Sequence, residues 1–229
     1  HRLGLPAHAG ALDFNLGCSG YVYGLGLATG LIDSGQARCV LLITAETYSK
    51  FMHDGDRSVR SLFGDAAAAT LVSRAASGAI GPFVYGTNGA GAPNLIVPLG
   101  GMRKRQQRDA ETLLRDESGN TRTAGNLYMN GPEIFDFTLR IVPSVVRQLL
   151  ERSGKTMDEI DLFIFHQANR YLLEHLRRKI GIPPEKFVLF LERCGNTVSS
   201  SIPIALKYAM QEGRIKPGTR AMLVGFGVG

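Results

Sequence analysis

Three polar residues each follow a segment that reads as a β-strand, the place where layered α/β folds set their active sites. Cys18, in NLGCSG, comes after LDFN (12–15) and opens a helix. A thiol at a helix N-terminus has its pKa lowered by exposed N–H groups and the helix dipole. Gly17 and Gly20 permit a tight strand-to-helix turn that presents the sulfur, as in a nucleophile elbow. The backbone N–H groups there could also hold an oxyanion. His166, in FIFHQAN, leaves the end of an apolar strand, placed to act as base or hydrogen-bond donor. Asn196, in RCGNTVSSS, sits in a Gly–Asn–Thr turn between KFVLFLE and a helix. Its amide can donate to a developing enolate or oxyanion. Taken singly, each has a plainer reading: a buried structural cysteine, a satisfied core histidine, a helix cap or turn residue.

The remaining candidates are weaker. Cys39 and Cys194 lack a CxxC partner, which argues against zinc or any other metal. His8, His53 and His175 read as surface positions. There is no GxxxxGK[ST] phosphate loop, and no GxGxxG follows a strand and opens a helix. Cys, His and Asn in that order also occur in papain-like proteases. The local signature of such a cysteine is absent, however, and the chain has no Trp.

Composition narrows the classes further. Three cysteines argue against a disulfide framework and fit a reducing, cytoplasmic setting. No apolar run approaches the ~18 residues of a membrane span, and the opening HRLGLPAHAG is not a signal peptide. The net charge of +6, with a pI near 9.4, permits an anionic partner. The charge is spread out, which argues against nucleic acid. The densest basic stretch, Arg103-Lys104-Arg105 with Arg108, is followed at once by Asp109 and Glu111. It reads first as a solvated loop, then as a surface for a phosphorylated ligand or an acidic carrier protein.

The elements that must position these residues alternate along the 229-residue chain. Helices are expected over 19–35, 132–154 (with a break near Pro143), 170–181 and in the later part of 195–213. Strands are expected at 12–15, 37–46, 66–73, 78–89, 161–169, 186–192 and 219–227. The run 37–46 is apolar enough to be covered on both faces. Thr156 with Glu159 resembles a capping box. Residues 90–126 read as a long polar loop, of the kind that forms lids or binding loops. The pattern is α/β and layered. Gly makes up 28 of the residues, against a usual ~7%, and Gly24, Gly26 and Gly30 read as packing glycines inside the first helix.

At GCSG, HQAN and GNT the sequence resembles the condensing enzymes of the thiolase superfamily, and most of all the β-ketoacyl-acyl-carrier-protein synthase III family. DRSVRSLFGDAAAA (56–69), MNGPEIF (129–135), GRIKPG (213–218) and GFGVG (225–229) extend the resemblance over essentially the whole chain. The separations between Cys, His and Asn agree as well.

The resemblance implies a five-layered α-β-α-β-α fold of two similar halves, here 1–77 and 78–229, usually dimeric. It implies a decarboxylative Claisen condensation of an acyl-CoA with malonyl-acyl carrier protein, initiating fatty acid synthesis, with no cofactor beyond the thioester substrates. Cys18 would be acylated, and His166 and Asn196 would stabilise the malonyl enolate. The backbone N–H groups of Cys18 and Val228 would form the oxyanion hole. Arg57 matches an arginine that contacts CoA, and Phe63 a residue lining the substrate channel. Arg170, Arg177, Arg178 and Lys179 would face the acidic carrier. Tyr171 stands where relatives often have a carrier-docking arginine, and Pro132 where an Asn is common. These departures keep open acyl transfer without decarboxylation and a specialised role in secondary metabolism using CoA or another carrier. The basic pI keeps a non-catalytic anion-binding module as a third reading. The opening His and the closing MLVGFGVG suggest a chain cut at both ends, short of its opening elements and last strand, and so expected to be poorly stable and inactive alone.

Overall fold

The computed structural model describes residues 4–75, 80–102, 104–105 and 111–228. Strand β1 (Cys39–Glu46) pairs antiparallel with β2 (Ala66–Ser73), and the short helix α2 (Arg57–Arg60) lies between them in sequence. Strands β3 (Leu95–Ile96), β4 (Leu114–Arg115), β5 (Thr121–Arg122) and β6 (Tyr128–Met129) are two residues each. Strand β7 (Leu162–Phe165) pairs in parallel with β8 (Ala221–Val224). The longer helices are α1 (Gly20–Asp33), α3 (Gly131–Ser153), α4 (Arg170–Ile180) and α5 (Ser201–Gln211).

Side-chain alternation along β7 organises the layers. All four of its residues are buried. Leu162 and Ile164 face a core built with Tyr21, Leu25 and Ala28 of α1 and Ile202, Ala205 and Ala209 of α5. Phe163 and Phe165 face the opposite core, with Val142 and Val146 of α3 and Leu172, Leu173 and Leu176 of α4. The first core also takes Leu42 of β1 and Val72 of β2. Helices α1 and α5 therefore lie between two sheets, and α3 and α4 cover the far side. This is the expected α-β-α-β-α order, of which the described residues form four layers. Close packing of α1 on β1 explains one of its glycines: a Cβ at Gly24 would stand 2.6 Å from Leu42 Cδ1.

Local signals fix the helix ends. Asn130 Oδ1 accepts from Glu133 N at the start of α3, and Asn169 Oδ1 from Leu172 N at the start of α4. Gly154 and Gly181 close these helices with φ of 62° and 84°.

Several expectations are corrected. Helix α3 runs unbroken through Pro143. Thr156 and Glu159 do bond, Thr156 N donating to Glu159 Oε2 at 3.0 Å, but they close a turn and no helix follows. Residues 12–15 and 80–89 form no strand, and 78–79 lie outside the described residues. Strand β1 is not covered on both faces: Leu41 and Ile43 are 46% and 53% exposed.

The run 186–192 keeps only one bridge to β7, at Phe187. Its next backbone groups bond to a side chain instead. Val188 O accepts from Gln167 Nε2, and Phe190 N donates to Gln167 Oε1. Those are groups a neighbouring strand would have used.

The segment 90–126 is more ordered than a polar loop. Strand β3 pairs with β6, and β4 with β5 as a hairpin. Arg122 ties the hairpin down, donating to Asp56 at 2.8 Å and Asp116 at 3.1 Å. Lys104 makes a backbone bridge to Gly100, while Arg103 and Arg108 of the basic cluster lie outside the described residues.

Candidate active site

Cys18 sits in the turn before α1, whose first residue closes it with Gly20 N donating to Gly17 O at 2.8 Å. An extended, exposed segment leads into this turn in place of the expected strand. The thiol is 3% exposed. Gly227 is what allows this. A Cβ there would stand 2.8 Å from both Cβ and Sγ of Cys18, and its φ of 131° disfavours any other residue. The Val228 N–H is directed at the sulfur and favours the thiolate. Burial outweighs it and pushes the thiol up to about 12, with the Glu46 carboxylate adding to the rise. The lowered pKa expected of a helix N-terminus is therefore corrected: desolvation is the larger effect, and the resting thiol is protonated.

His166 leaves β7 as its strand partner β8 ends, with His166 N donating to Val224 O at 2.8 Å. The ring is 2% exposed and stands edge-on to Phe226, with centroids 5.4 Å apart. Phe226, Gly227 and Val228 thus run from the imidazole to the thiol. Burial lowers the His166 pKa to about 3, with the Val198 backbone opposing. The ring is neutral at physiological pH.

Asn196 is carried by a backbone splice between distant segments. Asn196 N donates to Leu62 O at 2.8 Å, and Gly64 N donates to Asn196 O at 2.9 Å. This is a parallel bridge to Phe63. Asn196 Oδ1 accepts from Val198 N at 2.9 Å, which leaves its –NH2 as the free end of the amide. Val198 holds φ of 54°, a left-handed conformation costly for a β-branched residue. Its one peptide segment serves both Asn196 and the imidazole.

Three consecutive serines anchor this segment to different elements. Ser199 Oγ donates to Glu46 Oε1 at 2.5 Å, Ser200 Oγ lies 2.9 Å from Thr44 Oγ1, and Ser201 Oγ lies 2.7 Å from His166 Nδ1. A cavity of about 570 Å³ opens at Gly17, the residue before Cys18, and is lined also by Glu46, Tyr48, Leu95, Leu127 and Val228. Phe63 stacks on Tyr48 with centroids 5.4 Å apart. Burial, and the nearby Cys18 and Glu46, raise the Tyr48 pKa.

The peripheral candidates divide. Arg57 is exposed at the start of α2, whose cap is the buried Asp56. Arg170 is exposed and pairs with Glu192 at 2.6 Å. Arg178 and Lys179 lie on the last turn of α4. Arg177 is turned inward: its side chain is 15% exposed, bonded to Glu174 and to Ile182 O. Its charge serves the end of α4, which corrects the expectation that it faces a carrier. Among the described residues, no group of three or more His, Cys, Asp or Glu is arranged to hold a metal ion.

Comparison with known proteins identifies the family. A family model described as 3-oxoacyl-[acyl-carrier-protein (ACP)] synthase III matches residues 12–89. A second, for the C-terminal part of the same family, matches residues 150–229. A crystal structure of 3-oxoacyl-(acyl-carrier-protein) synthase III is 55% identical and superposes with a TM-score of 0.97, over 100% of this chain and 68% of the other. The chain belongs to the 3-oxoacyl-[acyl-carrier-protein] synthase III family. A synthase III relative from Symbiobacterium thermophilum is 38% identical over 98% of this chain and 66% of its own length. A solved 3-oxoacyl-(acyl-carrier protein) synthase from Burkholderia xenovorans is 38% identical, with a TM-score of 0.87 over 100% of this chain and 64% of the other. The chain thus spans about two thirds of the relatives it matches.

Within this synthase III fold, Cys18, His166 and the Val228 N–H, all expected from sequence, meet around the Phe226–Val228 turn, and Asn196, also expected, is tied to His166 through Val198. Glu46, Tyr48, the three serines and the Asp56–Arg122 pair were not expected. Glu46 carried a usable signal, as a charged residue at the end of an apolar run, like His166. The serines looked only like the polar start of a helix.

Proposed function

We propose that these residues carry a decarboxylative Claisen condensation between an acyl-CoA and malonyl-acyl carrier protein, the step that initiates fatty acid synthesis. The observation that carries the reading is the meeting of a buried thiol and a neutral imidazole on the Phe226–Val228 turn, with Asn196 joined to the imidazole through Val198.

Cys18 attacks the acyl-CoA carbonyl, the carbon–sulfur bond to CoA breaks, and the thiol proton ends on the CoA sulfur. The N–H groups of Cys18 and Val228 hold the oxyanion of this step. A malonyl thioester then loses CO₂. His166 and Asn196 donate to its thioester oxygen as the enolate forms. A neutral imidazole suits that role, because it donates without requiring a charge in a dry site. The enolate carbon attacks the acyl group, and the Cys18 thiolate leaves and takes up one proton.

Phe63 lines the route to the thiol, and Arg57 offers a cation to CoA. Arg170, Arg178 and Lys179 present positive charge to an acidic carrier. Residues 1–77 and 78–229 act as the two thiolase-like halves, in a cytoplasmic homodimer that needs no cofactor beyond its thioester substrates.

Incubation of the protein with acetyl-CoA, followed by intact mass measurement, is expected to show one acetyl group that Cys18→Ala abolishes. Adding carboxyl-labelled malonyl-acyl carrier protein is expected to release labelled CO₂. Acylation without CO₂ release would favour simple acyl transfer, and acylation that persists in Cys18→Ala would overturn the assignment of the nucleophile.

A further inference from the structure

Ser201 opens α5 and is 2% exposed. Among the described residues its Oγ has two hydrogen-bond partners, His166 Nδ1 at 2.7 Å and Gln167 N at 3.3 Å. The two contacts are chemically unequal. Gln167 N–H is a donor only, so it takes up one lone pair of the hydroxyl. The hydroxyl keeps one proton to give, and a buried polar hydrogen needs an acceptor. Of the two partners, only His166 Nδ1 can accept. A neutral imidazole has one donor nitrogen and one acceptor nitrogen. If Nδ1 accepts, the proton resides on Nε2.

We propose that Ser201 is a positioning residue that fixes His166 as the Nε2–H tautomer, so that the ring offers a hydrogen-bond donor, not a base, to the substrate. This rests on the reading of His166 as a donor to the malonyl thioester. The surroundings of the ring agree. No carboxylate is hydrogen-bonded to it among the described residues, so the ring lacks the anionic partner that stabilises an imidazolium in hydrolases, and the Val198 backbone, which favours the charged form, is outweighed by burial. Gln167 explains how Ser201 is kept in place, since its own amide is fully engaged with Phe165 O, Val188 O and Phe190 N.

The test is a long-range ¹H–¹⁵N correlation spectrum of the full chain labelled at histidine, with His166 assigned by loss of its signals in His166→Gln. At neutral pH the wild type is expected to show an unprotonated Nδ1 and a protonated Nε2. A protonated Nδ1 would overturn the proposal, whatever the variants do. Ser201→Ala is expected to shift His166 toward a tautomer mixture, and Ser201→Thr to restore the wild-type pattern. An unchanged spectrum in Ser201→Ala would also overturn it.

Turnover supplies a second readout. Ser201→Ala is expected to lower kcat for CO₂ release at least tenfold while Cys18 still acylates with an unchanged KM for acyl-CoA. An equal loss in acylation would point to a merely structural role and count against the proposal. If wild-type Cys18 never acylates, the functional reading fails, while the tautomer is still decided by the spectrum.

Discussion

A methyl group added at Gly227 would stand 2.8 Å from the Cys18 sulfur. The glycine is the wall against which the thiol rests, and its φ of 131° suits no side chain. Gly227→Ala is expected to cost about 1–3 kcal/mol from overpacking, with backbone strain added. It should also abolish acylation although Cys18 is intact. Chemical denaturation together with intact mass measurement checks both, and wild-type behaviour in either would show that the turn has room to spare.

The buried thiol should be slow to alkylate. With its pKa near 12, the thiolate fraction of Cys18 rises about tenfold per pH unit across neutral and mildly alkaline pH. Iodoacetamide labelling followed by peptide mass spectrometry should show the exposed Cys39 modified first. The Cys18 rate should still be climbing at pH 10. A plateau near pH 8 would mean that the helix N-terminus, not burial, governs the sulfur.

His166 makes stability fall with acid. Its folded pKa, about 3, lies below the ~6.5 of an unfolded histidine. Between those values the unfolded chain binds the extra proton. The contribution of the neutral ring is therefore complete above about pH 6.5 and is lost as pH falls toward 3, by up to ~1.4 kcal/mol per unit. Denaturation curves from pH 7.5 to 5 should show a shallower pH dependence for His166→Gln than for wild type.

Thr197 is fully buried, and its Oγ1 has no hydrogen-bond partner among the described residues. Thr197→Val keeps the shape and removes the orphaned hydroxyl. It should stabilise the protein by about 1 kcal/mol, with CO₂ release unchanged. A loss of stability would show that the hydroxyl is satisfied in solution.

Arg122 holds the buried Asp56 carboxylate, whose side chain is 1% exposed, and so links the β4–β5 hairpin to the cap of α2. Arg122→Ala strands that carboxylate and should cost about 3 kcal/mol. Because Arg57 follows the cap directly, the KM for acyl-CoA should rise as well. Arg122→Ala with unaltered stability would show that Asp56 is reached by water.

Much of the site was legible because each residue stands at a local landmark. Cys18 precedes a helix, His166 ends the all-buried β7, and Asn196 follows a glycine whose φ is 65°. The ends of α3 and α4 were legible for the same reason, since Asn and Gly caps act within a few residues. Strandedness was less legible. KFVLFLE has a strand's composition, yet the side chain of Gln167, from another segment, takes the hydrogen bonds that would have made it one. In 90–126 the polar composition concealed the β4–β5 hairpin, because its anchors, Asp56 and Gly55, lie far away in sequence.

The sequence by itself determined the identity and order of the reactive groups, the helix ends and the family likeness, all of which are written in residue type and short spacing. Only the tertiary structure decided how those groups are charged and aimed. Burial raises the Cys18 pKa and lowers that of His166, the reverse of what the helix terminus promised for the thiol. The imidazole is oriented by Ser201, thirty-five residues away, and the thiol is walled by Gly227 from the far end of the chain. Desolvation and hydrogen-bond direction depend on what surrounds a group in space, and these neighbours meet only when the layers close.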